Sequence, residues 1–148
     1  MTDFDASRRG WSLWLIGLLA AVAGSVANLV LMRMTKSSLG VPDTFGPLTT
    51  IPIVVWSVIG AFGAIGVYAL MRRFTANPKR TFFIVAVVVL VLSFIPDVAI
   101  LDSTEGPFAG ATPPAAVVLM VMHVISFAIV VPMVLSLARQ PAADPQQD

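Results

Sequence analysis

Four long apolar runs dictate what this chain can become. They cover 11–32, 51–71, 82–101 and 115–138, and the only Asp, Glu, Lys, Arg or His residues within them are Asp97 and His123. A helix rises ~1.5 Å per residue, so a run of ~20 residues covers the ~30 Å hydrocarbon core of a bilayer. All four qualify by length. They lack the alternation, lipid-facing then lumen-facing, of a membrane β-barrel strand. Of the 148 residues, 57% are hydrophobic and 11% charged, where a soluble domain carries about a quarter charged residues. A water-soluble globule of this size cannot hide so much apolar surface. The pattern therefore predicts an all-α integral membrane protein, a four-helix transmembrane bundle with antiparallel, up-and-down topology.

Several classes drop out on composition. A net charge of +1 provides no field to draw nucleic acid. With no cysteine, disulfides, thiol nucleophiles, Cys-ligated zinc and iron–sulfur clusters are excluded. HExxH, GxSxG, a phosphate-cradling glycine loop and an intramembrane carboxylate pair are all missing. One histidine cannot supply two-His haem ligation. No metal or cofactor is expected, and the reading leans away from an enzyme.

The connections are short, so residues 1–139 form one membrane domain and the polar stretch 140–148 is expected to be a disordered cytoplasmic tail. Arg8 and Arg9 precede the first run and Ala21-Val22-Ala23 resembles a cleavage site. A signal peptide's apolar stretch covers only ~7–15 residues, however, and this run continues to Met32, so it reads as a retained span. Seven of the nine basic residues (Arg8, Arg9, Arg72, Arg73, Lys79, Arg80 and Arg139) fall on one side of the predicted membrane, against Arg33 and Lys36 on the other. Basic residues beside spans stay in the cytoplasm. Both termini are thus expected to be cytoplasmic, in a multi-pass protein of the inner (plasma) membrane.

Lipid gives apolar helices little reason to associate, so small residues and interhelical hydrogen bonds must hold such a bundle together. Gly17 and Gly24 on the first helix, and Gly60 and Gly63 on the second, are the predicted packing positions, with a homo-oligomer interface as the alternative use of the same stripes. The third helix has no small-residue stripe and is expected to face lipid broadly. Pro96 should kink it rather than end it, with Ser93 helping to satisfy the carbonyl of Leu92. Thr112 reads as the N-cap of the fourth helix, ahead of Pro113 and Pro114.

Polar side chains inside a membrane are costly and need partners. Those here are Asn28, Ser93, Asp97, His123 and Ser126, joined by Trp56 at the start of the second helix. Asn28 lies ~7 Å below the outer end of its helix, and His123 lies ~14 Å below the start of its own. All of them map to the outer half, while the inner half is nearly devoid of polar groups. The functional reading is an outward-facing polar cleft binding a small or amphipathic ligand, with His123 as a group able to change protonation. The bland reading is a set of interhelical hydrogen bonds that fix helix register, at ~0.6 kcal/mol apiece.

Asn28, the stretch Gly46-Pro47-Leu48-Thr49, the stretch Ser93-Phe94-Ile95-Pro96 and His123 together resemble a family of small bacterial four-span membrane proteins known only as a domain of unknown function. The resemblance implies the four-helix membrane architecture and brings no activity, cofactor or catalytic residue. The expected role is a non-enzymatic accessory or small-ligand or lipid-binding protein. The alternatives are a small oligomeric proton-coupled transporter and a structural subunit of a larger membrane complex. Membrane lipids are the expected partners in every case, with no nucleic acid.

Overall fold

A computed structural model of the chain describes residues 3–43, 45–102, 106–109 and 111–136. The tail 140–148, Arg139 and Glu105 lie outside the described residues. Four helices carry the fold: α1 (Asp3–Lys36), α2 (Thr50–Phe74), α3 (Pro78–Ala99) and α4 (Pro113–Ser136). Short 3-10 turns occupy Gly46–Leu48, Ile100–Asp102 and Gly106–Phe108, and no strand occurs among the described residues. Each helix contains a segment long and apolar enough to cross a membrane.

Local chemistry explains where the helices start and stop. Beyond Lys36, Gly40 takes a left-handed conformation at φ 61°, and the amide of Val41 reaches back to the Lys36 carbonyl at 3.2 Å. This satisfies a carbonyl that the helix end would otherwise orphan, and glycine takes that conformation without a Cβ penalty. At the close of α2, Thr75 gives both its amide and its hydroxyl to the Met71 carbonyl. α3 opens on Pro78, whose missing N–H costs nothing in a first turn. α4 opens on Pro113 and Pro114, with Thr112 Oγ1 accepting from the Ala115 amide at 3.4 Å. Pro96 and Pro132 lie inside continuous helix. Ser93 differs from expectation: its hydroxyl donates to the Leu90 carbonyl at 2.7 Å, not to Leu92.

α1 packs against both α2 and α4, and α3 packs mainly against α4. α3 is the most exposed span, with 11% of its apolar window buried against 39% for α1. The core divides into two clusters. One contains Ala20, Ala21, Ala61, Tyr68, Phe82, Val130, Val131 and Val134. The other gathers Met32 and Ile53 with Ala115, Val118 and Met122, and it includes Val41, Phe45 and Leu48 from the connection between α1 and α2. Phe45 and Leu48 are fully buried, so this connection folds inward as an apolar cap over one end of the bundle.

The glycine seam requires correction. Gly17 is buried where α1 and α2 meet: a Cβ there would lie 2.7 Å from Ile65 Cδ1 and 2.8 Å from Phe62 Cε1. Gly24 is buried too, but a Cβ at that position meets open space. Gly60 and Gly63 sit on the exposed side of α2 and pack against nothing in the chain. Helical periodicity supplies the reason. The buried face of α2 runs through Ile53, Ala61 and Tyr68, and successive residues turn by ~100°, so Gly60 and Gly63 point elsewhere. Gly17→Ala is expected to cost ~1–3 kcal/mol by overpacking, whereas Gly63→Ala leaves stability unchanged or slightly raised. Thermal melts in detergent followed by circular dichroism distinguish the two; equal effects would place the tight contact elsewhere.

Candidate functional site

Four of the predicted polar residues meet on α4. From α1, Asn28 Nδ2 donates to Ser126 Oγ at 2.9 Å. One turn away, His123 lies against Asp97 of α3, with Nδ1 3.1 Å from Oδ2. Asn28 and Asp97 are each 5% exposed, while the His123 side chain keeps 41% of its surface open. α4 therefore links α1 to α3 through polar contacts. They fall beside the division between the two apolar clusters, since Met122 belongs to one and Val130 to the other.

The imidazole geometry decides where the hydrogens go. Nδ1 faces the Leu119 carbonyl at 2.9 Å as well as Asp97 Oδ2. A backbone carbonyl only accepts, so Nδ1 carries a ring hydrogen. That hydrogen is aligned on the Leu119 carbonyl, one turn back on the same helix. Asp97 Oδ2 lies 3.1 Å from Nδ1 but off the line of that hydrogen, and Asn28 Oδ1 is buried without a partner. Polar atoms within a membrane segment are costly and call for a partner, although Asp97, two residues from the end of α3, sits well away from the centre of its span. Both unpartnered oxygens accept hydrogens.

Two predicted site residues do not join this group. Trp56 is 69% exposed and projects away from the bundle. Ser93 is occupied by its own helix backbone. Two serines passed over in the sequence turn inward instead, Ser25 buried and Ser57 half-buried. Ser25, 8% exposed, shares the inward face of α1 with Ala21, Asn28 and Met32; the spacing 21, 25, 28, 32 signals it. Ser57 Oγ is buried without a partner, and the spacing Ile53, Ser57, Ala61 places it on the inward face that Trp56, one residue earlier, misses. Tyr68, 1% exposed and edge-on to Phe82 at 5.4 Å, puts a phenol in the other cluster, so that half is not uniformly apolar.

The cap formed by Phe45 and Leu48 packs in the same apolar cluster as Met122, the neighbour of His123. The open side of the polar group is thus lateral, at His123, between α3 and α4. On the outward face of α3, around the helix from the buried Asp97, a shallow apolar hollow of about 450 Å³ runs along Phe94, Ile95, Val98 and Ala99. The polar residues themselves do not line it. Among the described residues, no group of three or more His, Cys, Asp or Glu side chains could hold a metal.

A four-helix membrane protein with a polar junction inside it is the class these features define. The chain belongs to a family of unknown function (DUF6069), whose family model matches residues 6–140. Neither a curated protein nor a solved structure matched it.

The Asn28–Ser126 bond is expected to contribute ~0.6 kcal/mol, with an upper bound of ~1.7 kcal/mol. A double-mutant cycle of Asn28→Ala and Ser126→Ala in a denaturant-unfolding assay should return a coupling in that range; a coupling of zero would mean that the contact does not hold α1 to α4.

Proposed function

We propose that the protein is a non-enzymatic accessory membrane protein that binds a small or amphipathic ligand at the junction of Asn28, Asp97, His123 and Ser126. One observation carries this reading: three helices deliver polar side chains to a single region, and two of the buried acceptors there have no partner. Hydrogen bonding that served register alone would not call for a nearly buried carboxylate whose one neighbouring donor, the ring hydrogen of His123, is aligned on another acceptor. Membrane lipids, the solvent of the chain, supply the nearest ligands. Native mass spectrometry of protein released from membranes is expected to show a retained molecule, and His123→Ala to release it while the melting temperature stays within a few degrees. Retention that ignores His123→Ala and Asn28→Ala alike would leave these residues as register contacts only.

In the orientation proposed here, both termini face the cytoplasm of a plasma (inner) membrane, and the connection between α1 and α2 lies outside. The absence of native cysteine makes the test direct. Asn77→Cys is expected to react with a membrane-impermeant maleimide only after permeabilisation, and Ser38→Cys in intact cells. The reverse pattern inverts the topology and moves the polar junction to the cytoplasmic leaflet.

A second reading rests on the exposed glycines. Gly60, Gly63 and Gly66 leave one side of α2 open to close approach by another helix, which favours a homo-oligomer or a place in a larger membrane complex. The proton-coupled transporter is less well supported, because among the described residues the cluster around Ala20, Ala61 and Val134 holds a single polar side chain, the phenol of Tyr68.

A further inference from the structure

We infer that the ligand is recognised through a primary ammonium group, carried either by a lipid headgroup or by a free amine, and that its apolar portion lies along α3. This inference rests on the ligand-binding reading above and adds the chemistry of the head.

Three observations lead to it. First, the need at the junction is for donors and positive charge. Asp97 Oδ2 and Asn28 Oδ1 are buried acceptors without hydrogen-bond partners, and the only ring hydrogen nearby is committed to the Leu119 carbonyl. No Lys or Arg among the described residues lies within ion-pair distance of Asp97, and Lys36 instead pairs with Asp43 at 3.1 Å. A phosphate or carboxylate head would bring more acceptors and a like charge to Asp97. A trimethylammonium head brings the right charge but no N–H. A primary ammonium brings both, with three donors.

Second, the spacing suits one such group. Asn28 is fixed at Ser126 and Asp97 at His123, three residues apart on α4 and so ~4.5 Å apart along its axis. A tetrahedral ammonium nitrogen donating two charge-assisted hydrogen bonds of ~2.8 Å spans acceptors ~4.6 Å apart, the same scale as that axial offset. Third, access favours an amphiphile. Phe45 and Leu48 close the end of the bundle, His123 is the half-open member of the group, and the outward face of α3 at Ile95 and Val98, around the helix from Asp97, is apolar surface against which an acyl chain can lie.

The experiment uses the full chain in detergent, titrated by native mass spectrometry with phosphatidylethanolamine, phosphatidylcholine and phosphatidylglycerol of identical acyl chains, and separately with free ethanolamine. Phosphatidylethanolamine is expected to bind about tenfold more tightly than phosphatidylcholine, the equivalent of one charge-assisted hydrogen bond. Asp97→Asn should bring that ratio close to one, and Asp43→Asn, at the distant ion pair, should leave it unchanged. The wild-type ratio needs no variant to fold, and Asn28→Ala provides a second reading should Asp97→Asn fail to fold. Saturable ethanolamine binding without lipid identifies a soluble amine as the source, and binding of the lipid alone identifies the headgroup; both support the inference. Equal affinity for the two zwitterionic lipids, or preference for phosphatidylglycerol, overturns the ammonium assignment; if His123→Ala still weakens binding, the broader ligand-binding reading survives. Lipid binding indifferent to every variant at the junction overturns both.

Discussion

Surrounded by hydrocarbon, a helix gains little by pressing its leucines against another helix, so this bundle depends on what lipid cannot offer. That is close approach and hydrogen bonding, and α1 supplies both. At one level Gly17, Ala20 and Ala21 let α2 come near; further along, Asn28 reaches α4 through Ser126. α3 has neither device on its long valine-rich stretch and meets the others chiefly through α4, where the Asp97–His123 contact and the edge-on pairing of Phe83 with Phe127 lie. The outward faces of α2 and α3 are apolar nearly throughout, as a lipid solvent requires.

The polar junction thereby serves two ends in one place. Its satisfied half, Asn28 to Ser126, draws helices together. Its unsatisfied half, the free oxygens of Asn28 and Asp97, is chemically receptive. In water such oxygens would be silent, because solvent would fill their valence. Within a membrane they persist only beside a partner able to give hydrogen. The half-open imidazole of His123 is the exposed edge of this group.

Much of the architecture was legible in the residues. Apolar runs of 20 or more residues with at most one charge announce membrane helices, and Thr112 with Pro113 and Pro114 marks a helix start by local chemistry that tertiary context seldom overrides. Asn28, Asp97, His123 and Ser126 stood out because polar atoms are rare in such runs. Rotation was harder to read. Trp56 and Ser57 are neighbours, but ~100° of helical turn separates a lipid-facing indole from a buried hydroxyl. Gly60 and Gly63 failed for the same reason: spacing says which residues share a face, not which face turns inward. The inward fold of Phe45 and Leu48 left no periodic trace, since a loop carries none.

That inward fold has a mechanical consequence. The segment between α1 and α2 works as a stopper: drawing the ends of these helices apart means extracting a benzyl ring and an isobutyl group from apolar surroundings into the interfacial region. Opening should therefore begin elsewhere, at the seam of α2 and α3, the looser of the two that hold α3, the least buried span. Exchange of anything held inside would then follow the sideways breathing of that seam and the fluidity of the surrounding bilayer, rather than diffusion through an aqueous mouth.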